Sequence, residues 1–88
     1  MAATYKFKIL TPASEVLDAN VVSIVAPGEA GYLGVLANHA PLITTLRAGD
    51  LKVRFDDDRV REYRIGNGLL KVADNEAVLL TESIKDTE

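Results

Sequence analysis

One histidine, the glycine pair Gly31-x-x-Gly34 and one run of aspartates are the residues of this chain whose chemistry has to be weighed first. His39 has the right side chain for a general base near neutral pH. That role needs a nucleophile and an orienting carboxylate. No Ser or Cys of nucleophilic character lies near it, and Asp50 and Glu29 are the candidate orienters. A metal site needs several ligands at a recognisable spacing, which one histidine among scattered carboxylates does not supply. Cysteine is absent, so thiolate ligation and a disulfide framework are both ruled out. Gly31-x-x-Gly34 lacks the Gly-Lys-Ser/Thr ending and the following helix of a phosphate loop. Asp56-Asp57-Asp58 lacks the interleaved ligands, turn glycine and closing glutamate of a calcium loop, and reads as a solvated hairpin tip. Tyr32, beside the turn Glu29-Ala30-Gly31, is a rigid aromatic that suits contact with a partner or covers the core edge. No catalytic residue, metal ligand or cofactor site is expected. The chemistry on offer is that of binding.

The elements that must position these residues are strands. Tyr5-Lys6-Phe7-Lys8-Ile9 alternates strictly, with its large apolar side chains on one face. Glu15-Val16-Leu17-Asp18 is a short second strand or a turn. Val21 to Ala26 is a β-branched run with little alternation, as in a strand covered on both faces. Pro27 to Gly31 turns, Tyr32 to Leu36 is a short strand, and Asn38-His39-Ala40-Pro41 is a constrained loop, since Pro41 holds Ala40 extended. Leu42 to Leu46 follows as a strand, then the turn Ala48-Gly49-Asp50. Leu51-Val53-Phe55 and Val60-Tyr63-Ile65 form a hairpin across the aspartate run. Gly66-Asn67-Gly68 links to Leu69–Ala73, and Asp74-Asn75 turns into Glu76–Thr81. Gly34, Gly49, Gly66 and Gly68 are read as structural loop glycines. The spacing, a strand about every 8–12 residues with no helix, predicts an all-β, antiparallel sandwich or barrel-like domain. It is one domain over 1–88, with an ordered core at about 3–82 and a polar tail at 83–88, where Ser83-Ile84 is the piece able to extend the sheet edge.

Composition narrows the function classes. Apolar residues make up 48% of the 88 residues, enough for a core, but the five aromatics leave that core to Val, Leu and Ile. A chain this short buries only about 60–65% of its unfolded surface, so modest stability is expected. The net charge of −3 argues against nonspecific nucleic-acid binding, which needs surplus positive charge along a phosphate path. No run approaches the roughly 18 apolar residues of a membrane span, and the first residues lack the apolar core of a signal peptide. A soluble, cytosolic protein is expected, without direct bilayer insertion, able to reach a membrane complex through a partner.

Gly31-x-x-Gly34, followed by His39-Ala40-Pro41-Leu42-Ile43-Thr44 and Gly49, resembles the signature of the epsilon subunit of F-type ATP synthases, called delta in mitochondria. The resemblance starts near Tyr5 and continues through Gly66-Asn67-Gly68-Leu69-Leu70-Lys71-Val72 to Val78-Leu79-Leu80. It covers essentially the whole chain but only the amino-terminal β domain of that family. It implies a flattened antiparallel β-sandwich of about ten short strands. It also implies a non-catalytic central-stalk subunit that binds gamma and couples the F1 rotor to the membrane c-ring during proton-driven ATP synthesis. The implied location is peripheral, on the cytoplasmic face of the inner membrane.

By the same resemblance, His39, Ala40, Pro41 and Leu42 fall at the gamma interface, and Glu29, Ala30, Gly31 and Tyr32 form the loop facing the c-ring. Two departures matter. Family members often carry an acidic residue where this chain has Tyr32, so Glu29 is the candidate to supply a charge-based contact there. Asp50 and Glu62 stand where some members have large apolar residues. Many members also add a carboxy-terminal helical hairpin that inhibits ATP hydrolysis. This chain stops at Glu88, so coupling without hairpin-mediated inhibition or bound nucleotide is the expectation. Two other classes remain: a small β-barrel gripping single-stranded nucleic acid, which needs exposed aromatic platforms, and a small enzyme or sugar-binding module, which needs an apolar pocket with polar groups converging around His39.

Overall fold

The structure, a computed structural model, describes residues 3–87. The strands are β1 (Tyr5–Leu10), β2 (Glu15–Gly28), β3 (Gly31–Leu36), β4 (Leu42–Leu46), β5 (Gly49–Phe55), β6 (Val60–Ile65), β7 (Gly68–Ala73), β8 (Glu76–Thr81) and β9 (Ile84–Asp86). No helix occurs among the described residues. The fold is all-β, as the alternation predicts. Tyr5, Phe7 and Ile9 of β1 are buried, as are Leu51, Val53 and Phe55 of β5, Tyr63 and Ile65 of β6, and Leu70 and Val72 of β7.

The strands follow the order β1-β8-β7-β4-β2-β5-β6-β9, with β3 added beside β2. β2 is the bridge between two layers. Its first half pairs with β1, and its second half is flanked by β3 and β5. One layer is therefore β1, β8, β7 and β4. The other is β3, β2, β5, β6 and β9. The inward side chains of both layers meet in a single apolar cluster. Each large aliphatic or Phe side chain fully buried there contributes about 1.5–3 kcal/mol of transfer free energy.

Four details differ from the sequence-based expectation. The two pieces over Glu15–Asp18 and Val21–Ala26 are one 14-residue strand, which brings the count to nine among the described residues. The weak alternation of Val21–Ala26 comes from a bulge, not from cover on both faces. The register against β5 slips between Val21 and Ser23, so Val21, Ile24 and Ala26 all point inward while Val25 is 37% exposed. Gly34, Gly49 and Gly68 are strand residues in β3, β5 and β7, and only Gly66 of the four lies in a connection. The polar stretch after Thr81 returns as β9, antiparallel to β6, with Ile84 of the Ser83-Ile84 piece extending the sheet edge. Ile84 packs against the core, and the Arg61 guanidinium donates to the Asp86 carboxylate at 2.6 Å. The fourth difference is a parallel pairing within the expected antiparallel sandwich: β1 beside β8.

Candidate interaction surfaces

The loop 37–41 and the hairpin tip 29–32 lie at opposite ends of the molecule, because β3 runs from one to the other. At the tip, Gly28 pairs with Gly31 across the two-residue turn Glu29-Ala30. Gly31 sits at φ 132°, a conformation that glycine adopts at little cost and residues with a side chain rarely adopt. Glu29, Ala30 and Gly31 are exposed, and Tyr32 is 64% exposed. The Tyr32 hydroxyl reaches toward Gly49 across Pro27, its cross-strand neighbour.

At the other end, His39, Ala40 and Pro41 are exposed and Leu42 is half-buried as β4 begins. The His39 ring donates from Nδ1 to the Ala40 carbonyl at 2.7 Å. The two carboxylates considered as orienters are elsewhere. Asp50 accepts from the Arg64 guanidinium at 3.2 Å, and Glu29 is at the opposite tip. His39 is thus a surface residue shaped by its own loop. No group of three potential metal ligands occurs among the described residues. The aspartate run is closed by its own arginine: Arg59 donates its backbone N–H and its Nε to Asp57, at 3.1 and 2.7 Å. Those donors, the backbone N–H first, hold the Asp57 carboxyl below the usual carboxylate range.

Two asparagines fasten these ends, and sequence reasoning saw them only as turn residues. The Asn75 side-chain amide accepts from Asn38 N–H at 2.7 Å and donates to the Thr4 carbonyl at 3.0 Å. It ties the 37–41 loop to the β7–β8 turn and to the entry of β1. Asn67 accepts from Ala48 N–H at 3.0 Å, fixing the corner between β4 and β5 beside the 29–32 tip. The signal available in the sequence was only that Asn favours turns.

Exposed apolar surface continues from β4. Ile43 is 66% exposed and Leu80 is 44% exposed. The register places Leu69 beside Leu80, and Leu80 beside Leu10, on the outer side of the β1-β8-β7-β4 layer. A groove of about 440 Å³ runs along Leu10, Leu69 and Leu80. The alternation of β7 and β8 contains this row, but the sequence alone does not say that the three strands are neighbours. A stacking platform for nucleic acid is not formed. Tyr5, Phe7, Phe55 and Tyr63 are buried, which leaves Tyr32 as the exposed aromatic.

The sequence profile of the ATP synthase, Delta/Epsilon chain, beta-sandwich domain matches residues 4–87. The chain belongs to this family. The delta/epsilon chain is a non-catalytic subunit of the synthase stalk, in agreement with the resemblance carried by Gly31-x-x-Gly34 and the His39–Thr44 segment. It is 36% identical over 86 residues to the ATP synthase epsilon chain of Moorella thermoacetica, covering 98% of this chain and 64% of that one. It is 34% identical over 83 residues to the epsilon chain of Brucella canis, covering 94% of this chain and 62% of that one. This chain therefore spans less than two thirds of the length of these relatives. Among solved structures, a chain of the Euglena gracilis mitochondrial ATP synthase (OSCP/F1/c-ring) superposes with a TM-score of 0.91 at 23% identity, covering 98% of this chain and 55% of that one. A chain from the Tetrahymena thermophila mitochondrial ATP synthase central stalk and c-ring gives 0.80 at 22% identity, covering 97% and 68%. At those identities the likeness is one of fold.

Proposed function

We propose that this chain is the β domain of a central-stalk subunit, a rigid connector between the gamma subunit and the c-ring in a proton-driven ATP synthase. The observation that carries the reading is the placement of two exposed segments at opposite ends of one cross-linked sandwich. A connector that transmits torque needs two separated contacts and little give between them. β3 spans that distance, and the side chains of Asn75 and Asn67 hold its surroundings at each end. His39, Ala40, Pro41 and Leu42 form the gamma contact in this reading, continued by Ile43 on the outer face of β4. Glu29, Ala30, Gly31 and Tyr32 form the c-ring contact, with Tyr32 packing and Glu29 supplying charge. The complex sits peripherally on the cytoplasmic face of the membrane. Proton flow turns the c-ring, and the connector passes the rotation to gamma without reacting itself.

The test is a pull-down with purified gamma, alone and then with the c-ring. Ala40→Arg or Leu42→Glu is expected to weaken capture by gamma while leaving the far-ultraviolet circular dichroism unchanged. Tyr32→Ala is expected to spare gamma binding and reduce recruitment of the c-ring. A folded chain that binds no gamma from any closely related synthase would sink the reading.

A further inference from the structure

Among the described residues β3 pairs with β2 along one side only, and Pro27 determines which of its backbone groups are left over. Pro27 stands opposite Tyr32, has no N–H, and its carbonyl accepts from Arg47 N–H at 2.9 Å. Pro27 and Tyr32 are therefore a non-hydrogen-bonded pair. Antiparallel alternation makes Val25/Gly34 and Ser23/Leu36 pairs of the same kind. The N–H and C=O groups of Tyr32, Gly34 and Leu36 consequently point away from β2, along a free edge.

Edges of this kind are usually protected by charge, proline or a bulge. β9, at the far edge of the same layer, has Lys85 and Asp86. β3 reads Gly-Tyr-Leu-Gly-Val-Leu and has none of these devices. Tyr32 and Leu36, which flank its open centre, are each 64% exposed.

We propose that β3 is a self-pairing edge, through which two copies of this chain join antiparallel about Gly34. In that register Gly34 faces Gly34 of the second copy. Tyr32 faces Leu36 of the second copy, and Leu36 faces Tyr32. Every free N–H and C=O on the two edges then has a partner. The contact is isologous, so it closes as a dimer and does not propagate. Its electrostatics are permissive. The strands carry no charge, and antiparallel alignment brings the acidic Glu29 tip of one copy toward the Asn38-His39 turn of the other. The contact is one strand wide, well under the roughly 1,200 Å² below which complexes are weak and transient. It therefore forms in the free, concentrated subunit. It also covers Tyr32, so a paired copy cannot present that residue to another partner. The pairing does not depend on the stalk reading.

Sedimentation of the 88-residue chain from micromolar to millimolar concentration tests this. Gly34→Glu and Gly34→Lys are the informative variants, because a Cβ at Gly34 meets nothing closer than the Ile24 carbonyl oxygen at 3.9 Å. Circular dichroism and thermal melting verify that both fold. The wild type is expected to dimerise with rising concentration. Each variant alone places like charges against each other on the axis and raises the dissociation constant by about tenfold or more. An equimolar mixture of the two variants restores association as a heterodimer. A wild type that stays monomeric at millimolar concentration overturns the proposal. So does a dimer indifferent to both variants, or a mixture that associates no better than either variant alone. Gamma capture is a separate measurement, so failure of one leaves the other standing.

Discussion

Tyr5 shows what one buried polar atom does in this core. Its ring is 3% exposed, and its hydroxyl donates to the Val35 carbonyl at 2.7 Å, fastening β1 to β3 across the interior. Burial first, opposed by a backbone hydrogen bond from Ile24, pushes the phenol well above its usual range. The linkage has a definite sign. A pKa raised on folding means that the native state keeps its proton while unfolded chains lose theirs. The stabilisation is complete below about pH 10, the ordinary tyrosine value, and falls as the pH climbs beyond it. Urea unfolding between pH 8 and pH 11 is therefore expected to show a declining midpoint. Tyr5→Phe is expected to lower stability by about 1 kcal/mol at neutral pH and to flatten part of the alkaline decline. An unchanged slope in the variant would assign the decline to other groups.

At the level of elements, close backbone approach sets the registry of β7 and β8. A Cβ at Gly68 would run into the Leu80 carbonyl oxygen, so Gly68→Ala forces the two strands apart where Gly68 also pairs with Leu46 of β4. The expected cost is about 1–3 kcal/mol. Faster amide exchange should be concentrated along β7, β8 and β4, and uniform exchange across the sheet would contradict the assignment. How much of this was legible follows from the kind of signal involved. The strands with strict alternation, β1 and β5, announce their own faces. β2 hides its length, because Asp18 and Asn20 interrupt the apolar pattern and the bulge near Val22 breaks its period. β9 shows in the sequence only as Ser83-Ile84, because Ile84 is its single apolar anchor. The two outer segments were visible as loops with unusual residues. Asn67 and Asn75, which fix those loops, were not, since their partners Ala48, Asn38 and Thr4 are distant in the chain. The apolar row Leu10–Leu80–Leu69 exists only once three strands are placed side by side.

At the scale of the whole molecule, β2 crosses between the layers and β1 inserts between β2 and β8. The inserted strand joins the beginning of the chain to its far end: Lys6 lies beside Glu76 and Leu10 beside Leu80. Pairings so distant in sequence make folding slow for the size of the domain, because loop closure must precede the contacts that offset it. Refolding from urea is expected on the millisecond-to-second scale, and a microsecond phase carrying the full amplitude would contradict this. The same wedge constrains biosynthesis. β1 leaves the ribosome before β8, but the slot it fills is complete only when β8 has also emerged. Until then its buried row of Tyr5, Phe7 and Ile9 has only β2 to lie against. From the emergence of β1 until that of β8 the nascent chain therefore carries this buried row half-covered, and this is the interval in which chaperones have a surface to hold.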